Sequence, residues 1–187
     1  MQKEYIKEIL FSEEKINELT DEIAKKLNKE YANKKDEIIV ACLMKGAVPF
    51  HSLLIKKLNF ELVTDYMIAS SYEGGMSTKG NVKIIMDLNT NIENKNLIII
   101  EDLIDSGLTL QKVVSYLKTH NPKSLKIVTL LNKDVADRKS FIEPDIYGSK
   151  CGDEFLVGFG LDYQEKLRNL PYIGVFDLDK WNNKNKK

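Results

Sequence analysis

The sequence predicts an α/β fold: a central, mainly parallel sheet flanked by helices. Three observations predict it. Apolar runs such as IIVACLM (38–44) and SLKIVTLLNK (124–133) are continuous rather than alternating, as strands covered on both faces are. Segments with apolar residues three and four apart lie between those runs, so strand and helix alternate along the chain. The third is size and composition: 187 residues, 43% hydrophobic and 30% charged, fit one domain with a substantial core, residues 1–187 being read as a single unit.

Taken in order, residues 12–29 place Ile16, Leu19, Ile23 and Leu27 on one helical face, with Ser12 as N-cap and acids in the first turn. The strand at 38–44 stops at Lys45-Gly46, and AVPFHSLLIKKL continues as a helix. Residues 60–72 alternate well enough for a strand, whereas EGGMSTKGN (73–81) reads as a long, mobile loop. Strand character resumes at 82–88 and again in LIIIEDLI from residue 97. Beyond Gly107, Leu110, Val113, Val114 and Leu117 define a helix that ends near Asn121-Pro122, and the strand at 124–133 follows. From Asp145 only short strands remain (DIYG, EFLVGF, YIGVFDL), which suggests a small lobe before a polar, unpacked tail, NNKNKK. There are no internal repeats.

Several function classes drop out on composition. Lys plus Arg (28) balances Asp plus Glu (28), a net charge of +0, so no nucleic-acid or anionic-membrane partner is expected. The apolar runs fall far short of the roughly 20 residues of a membrane helix, and the charged N-terminus does not resemble a signal peptide. A cytoplasmic protein is expected. Cys42 and Cys151 have no C-x-x-C spacing and read as buried small hydrophobes. With His51 and His120 the only histidines, zinc sites and Ser-His-Asp chemistry have little to work with.

The residues that suggest chemistry sit where the strand beginning at 97 ends, because ligands of open parallel sheets lie beyond the carboxyl ends of strands. Glu101 and Asp102 are adjacent carboxylates that, at a frayed strand end, could both reach a hard cation or ribose hydroxyls. DSGLT (105–109) follows, a glycine turn opening a helix. Its backbone amides, helix dipole and the hydroxyls of Ser106 and Thr109 suit a phosphate monoester. Asp105 is out of place beside a phosphate unless it has a task, such as general base toward a nucleobase. The alternative is plainer: two solvated carboxylates at a strand end and an ordinary N-cap turn. No P-loop and no G-x-G-x-x-G is present.

The pattern of four apolar residues, Glu-Asp, two apolar residues and Asp-Ser-Gly-x-Thr resembles the phosphoribosyl diphosphate (PRPP) motif of the type I phosphoribosyltransferases. Together with LMKGA (43–47), SSYEGGMSTKG (70–80), LLNK (130–133) and FLVGFGLDYQEKLRNLPYIGV (155–175), it looks like the bacterial hypoxanthine(-guanine) phosphoribosyltransferase family, from about residue 38 to 177. The resemblance implies the type I fold, with a hood formed by about 145–180 and part of the N-terminus. It implies purine salvage: magnesium-dependent transfer of phosphoribosyl from PRPP to hypoxanthine or guanine, giving IMP or GMP and diphosphate.

Residue by residue, the resemblance implies that Glu101 and Asp102 hold the ribose hydroxyls or their Mg2+, and that Asp105, Ser106, Gly107, Leu108 and Thr109 form the 5'-phosphate loop. Asp105 would also manage the proton at purine N7. Lys45 and Gly46 would bind diphosphate beside a non-proline cis peptide at Met44-Lys45, with Arg168 as a second ligand. Lys133 would read the purine 6-oxo group, Phe155 would stack on the base, and the backbone of Leu156 and Asp162 would read its far edge. Asp162 would also hold a second magnesium. Ser71 and Tyr72 would belong to a lid, with Gly74, Gly75 and Gly80 giving it freedom. A homodimer or homotetramer is expected. Departures are Ser106 in place of threonine and the acidic DVADR (134–138) where basic residues are usual. Rival readings on the same fold are a xanthine-preferring transferase and an RNA-binding regulatory protein.

Overall fold

The computed structural model describes residues 2–71, 82–134 and 142–184. Six strands form the larger sheet: β2 (Ile38–Met44), β3 (Val63–Ser71), β4 (Val82–Met86), β5 (Asn96–Ile104), β6 (Ser124–Lys133) and β7 (Ile146–Cys151), in the order β4-β3-β2-β5-β6-β7. Every neighbouring pair is parallel except β3 with β4. Helices α1 (Glu13–Tyr31), α2 (Val48–Ile55) and α3 (Leu108–Lys118) cover it.

The continuous apolar strands follow from that two-sided cover. Side chains alternate between faces along a strand. Ile38, Val40, Ile98 and Ile100 therefore pack with Ile16, Ile23 and Leu27 of α1 and Phe50 and Leu54 of α2. Ile39, Ala41, Leu97 and Ile99 meet Val113 and Leu117 of α3 on the opposite face. The N-cap expected at Ser12 is present, its hydroxyl accepting from the Lys15 amide at 3.2 Å.

A smaller antiparallel sheet, in the order β1-β9-β8, is made by β1 (Ile6–Phe11), β8 (Leu156–Val157) and β9 (Ile173–Phe176). Three expectations need correction. The segment DIYG does not enter this small sheet: as β7 it pairs with β6 and extends the large one, so the smaller sheet draws its C-terminal strands from residues after it. The segment after Asp145 is not built of strands alone, because α4 (Leu178–Lys184) brings Trp181, 9% exposed, against the Tyr5 ring with centroids 4.9 Å apart, while Asn182 and Asn183 of the tail stay exposed. Finally, β5 does not end before the acidic pair but runs through Glu101 and Asp102 to Ile104. Among the described residues, no helix is long and apolar enough to cross a membrane.

Candidate active site

Unequal strand lengths create the site. The pairing of β5 with β2 ends at Ile100 opposite Cys42, while its pairing with β6 continues to Ile104 opposite Asn132. Glu101 and Asp102 thus lie where β5 has lost one neighbour, on the carboxyl side of the sheet. Asp102 Oδ1 accepts from the Leu103 amide at 2.7 Å. Gly107, with φ of 71°, then makes the left-handed turn that opens α3. The first amides of α3 have no carbonyl one turn earlier to bond, and no side chain caps them from Gly107. They open on a cleft of ≈ 280 Å³ lined by Met44, Glu101, Asp105, Ser106, Gly107 and Thr109 among others.

Lys45 follows a cis Met44-Lys45 peptide, and Gly46 is wedged against the acidic pair: a Cβ on it would lie 1.7 Å from Asp102 Oδ2. From the other side comes Gly160, with φ of +99°, where a Cβ would lie 1.9 Å from the Gly46 carbonyl oxygen. The turn that carries Gly160 is tied by Arg168, whose Nη1 donates to the Gly160 carbonyl at 2.7 Å and whose Nη2 lies 2.8 Å from Asp162 Oδ1. Glu165 joins this group, 2.8 Å from Lys45 Nζ and 3.3 Å from Arg168 Nη2. Sequence alone did not mark Glu165 or Gly160. The G-F-G of 158–160 was a usable signal for a tight turn; an acid in a polar turn was not.

Beyond Asp105, which lines the cleft, Lys133 closes β6 with only 7% of its surface exposed. It does not escape to solvent as a strand-end lysine often does. Its ammonium lies 3.4 Å from Asp105 Oδ2 and 3.8 Å from Asp153 Oδ1, the latter a partner the sequence reading missed. Phe155 is 53% exposed, held edge-on against Tyr163 with centroids 5.7 Å apart. Leu156 is the opposite, buried in β8 and paired with Val175. Ser71 ends β3, opposite Val82. Tyr72, the glycines of the expected lid and Asp137 and Arg138 lie outside the described residues. Asp134 pairs with Lys150 at 3.2 Å.

Comparison with known proteins agrees with this geometry. The phosphoribosyl transferase domain family matches residues 8–164. A hypoxanthine-guanine phosphoribosyltransferase of Streptococcus thermophilus is 45% identical over 177 residues, 95% of this chain and 97% of that one. A crystal structure of a hypoxanthine phosphoribosyltransferase from Staphylococcus aureus superposes with a TM-score of 0.89 at 41% identity, covering 96% of each chain. A hypoxanthine-guanine-xanthine phosphoribosyltransferase superposes at 0.84 with 32% identity, over 93% of this chain and 99% of that one. The chain belongs to the hypoxanthine-guanine phosphoribosyltransferase family.

The electrostatics of this family member turn on its acidic pair. Burial pushes the Glu101 carboxyl well above the usual carboxylate range, and the neighbouring Asp102 charge adds to it. Asp102 is also raised by burial, though hydrogen bonds and the Arg168 charge act against the rise. Two partly buried carboxylates side by side are a poor arrangement by themselves and a better one for a hard cation, which takes oxygen donors. Among the described residues no three His, Cys, Asp or Glu side chains gather into a metal-binding cluster. The pair fits magnesium only if substrate oxygens supply further ligands. Asp162 sits apart, on Arg168. Both thiols are unreactive in character: burial pushes Cys42 up to about 12 and Cys151 up to about 11.

Proposed function

We propose that this protein works in purine salvage, transferring the 5-phosphoribosyl group of PRPP to N9 of hypoxanthine, and of guanine, with release of diphosphate and formation of IMP or GMP. One observation carries the purine half of this reading: the nearly buried Lys133 ammonium stands 3.4 Å from Asp105 at the end of the phosphate cleft. An ammonium only donates hydrogen bonds, so it favours a 6-oxo oxygen and opposes the amino group that adenine presents. Phe155, half exposed, supplies a stacking face. The backbone near Leu156 and Asp162 would read the remaining purine edge, including the guanine amine.

The Asp105 carboxylate would hold and move the proton at purine N7. The amides of 106–109 and the hydroxyls of Ser106 and Thr109 would bind the 5'-phosphate, while Glu101 and Asp102 would orient the ribose hydroxyls. Lys45, the Gly46 amide and Arg168 would stabilise charge growing on the departing diphosphate. Magnesium, held by Glu101 and Asp102 and in a second position by Asp162, would supply further neutralisation of that charge. Ser71 and Tyr72 would close over the site and exclude water from the reacting sugar.

As a cytoplasmic enzyme it would assemble as a homodimer or homotetramer, a reading supported by exposed Val63, Tyr66, Ile85 and Met86 on β3 and β4. The test is a spectrophotometric assay with PRPP, magnesium and each of hypoxanthine, guanine, xanthine, adenine and uracil. Hypoxanthine and guanine should be consumed and adenine and uracil should not. Failure of both 6-oxopurines would sink the reading, and faster turnover of xanthine would replace it with the xanthine-preferring one.

A further inference from the structure

Both cations assigned to diphosphate are already engaged by a carboxylate of the same chain. Glu165 Oε2 lies 2.8 Å from Lys45 Nζ, and its Oε1 lies 3.3 Å from Arg168 Nη2, so one side chain spans the two. The backbone is arranged to put it there. Tyr163 and Lys166 exchange amide-to-carbonyl hydrogen bonds of 3.1 and 3.0 Å around a two-residue turn whose members, Gln164 (φ 51°) and Glu165 (φ 63°), are both left-handed. Such turns ordinarily use Asn-Gly, because a Cβ is disfavoured at either position. Here neither residue is glycine, and Asp162 Oδ2 secures the Glu165 amide at 2.8 Å.

We propose that Glu165 is an internal counter-anion, which occupies the diphosphate cations of the free enzyme and is displaced when diphosphate binds, either free or as part of PRPP. The inference rests on the diphosphate role given above to Lys45 and Arg168. Two further observations support it. Arg168 Nε is buried without a partner among the described residues, so the guanidinium still has a donor that its present carboxylates leave unused. Lys45 and Glu165 are also well exposed, at 57% and 63%, so their pair is weak and water can take over the released carboxylate. A placeholder of this kind neutralises an otherwise bare cationic pocket and, by competing with the anion, hastens release of the product diphosphate.

The test is calorimetric titration of the full chain with inorganic diphosphate in the presence of magnesium, repeated for Glu165→Gln and Glu165→Gly. The second variant also relieves the left-handed position, which guards against a folding defect. Both should bind diphosphate roughly three- to tenfold tighter, the amount expected from removing competition by exposed ion pairs. The KM for PRPP should fall in parallel, and the advantage should shrink as salt is raised. Wild-type protein that binds diphosphate no more weakly than the two variants would overturn the counter-anion role while leaving the diphosphate site intact. Wild-type protein that binds no diphosphate at all would overturn the site assignment itself.

Discussion

The proposed phosphate end of the cleft and its proposed purine end are built in different ways. The first is one continuous stretch, 97–110, in which strand, acidic pair, glycine turn and helix start follow one another. The second is collected from separate places: Lys133 from the end of β6, Asp153 and Phe155 from the chain after β7, and Asp105 borrowed from the first end. A contiguous motif needs only correct local geometry, so it works wherever the strand ends. The purine end exists only if β6 lies beside β5 and the segment after β7 folds back over both. Errors in packing should therefore damage the purine end before the phosphate end.

Asp105 is the residue the two ends share, and Asp105→Asn should give the largest effect, a fall in kcat of about 10²–10³ with little change in PRPP binding. Steady-state kinetics with a PRPP titration check this, and near-normal turnover would remove the proton-handling role. Lys133→Ala should act on one end only. Loss of a charged hydrogen bond predicts a rise in hypoxanthine KM of roughly 10–100-fold, with PRPP affinity largely kept. A variant with equal losses for both substrates would mean that Lys133 organises the whole cleft.

Gly160→Ala probes the seam between the turn at 158–161 and the Lys45-Gly46 loop, since its Cβ would lie 1.9 Å from the Gly46 carbonyl at a φ of +99°. A cost of about 1–3 kcal/mol is expected, which at this size lowers Tm by several degrees. Calorimetry on the variant decides it; an unchanged Tm would show that the loops can separate freely. The smallest effect concerns His51, 1% exposed on α2, whose pKa burial pulls below the ordinary 6.5. With the folded pKa depressed, the unfolded chain binds protons first. Stability from this residue is complete above about pH 6.5 and is lost as pH falls through the folded value. The raised Glu101 and Asp102 carboxyls act in the opposite sense, losing stability as pH rises, so the informative quantity is the difference between wild type and His51→Gln. That difference in Tm should depend on pH below 6.5 and flatten above it; a difference independent of pH would show that the imidazole is not held neutral.

How legible each part was in the sequence follows the same division. The strand at 38–44 and the helix face of Ile16, Leu19, Ile23 and Leu27 were readable because two-sided burial and helical periodicity leave their mark on consecutive residues. DIYG was misassigned to the small lobe because a short edge strand reads the same in either sheet, and only its register beside β6 separates the two. The helix at Leu178–Lys184 was missed because one buried tryptophan among polar residues shows no periodic face. Glu165 gave no signal: its importance is a distance to Lys45, which lies far away in the chain.

By itself, the sequence determined the α/β class, the strand and glycine turn of 97–110 and the family, because each of these depends on residue order over short spans. The tertiary structure alone decided how far β5 runs past β2, which carboxylate Lys133 faces and which anion holds Lys45 and Arg168. The physical reason is that those contacts arise between segments whose distances are set by strand order and by packing of the hood-side turn, and no local pattern of residues encodes such distances. The acidic pair shows the boundary well. Its presence at residues 101–102 was plain from the first reading, but its raised affinity for protons comes from partial burial and from the closeness of the two carboxyls, which only the folded chain provides.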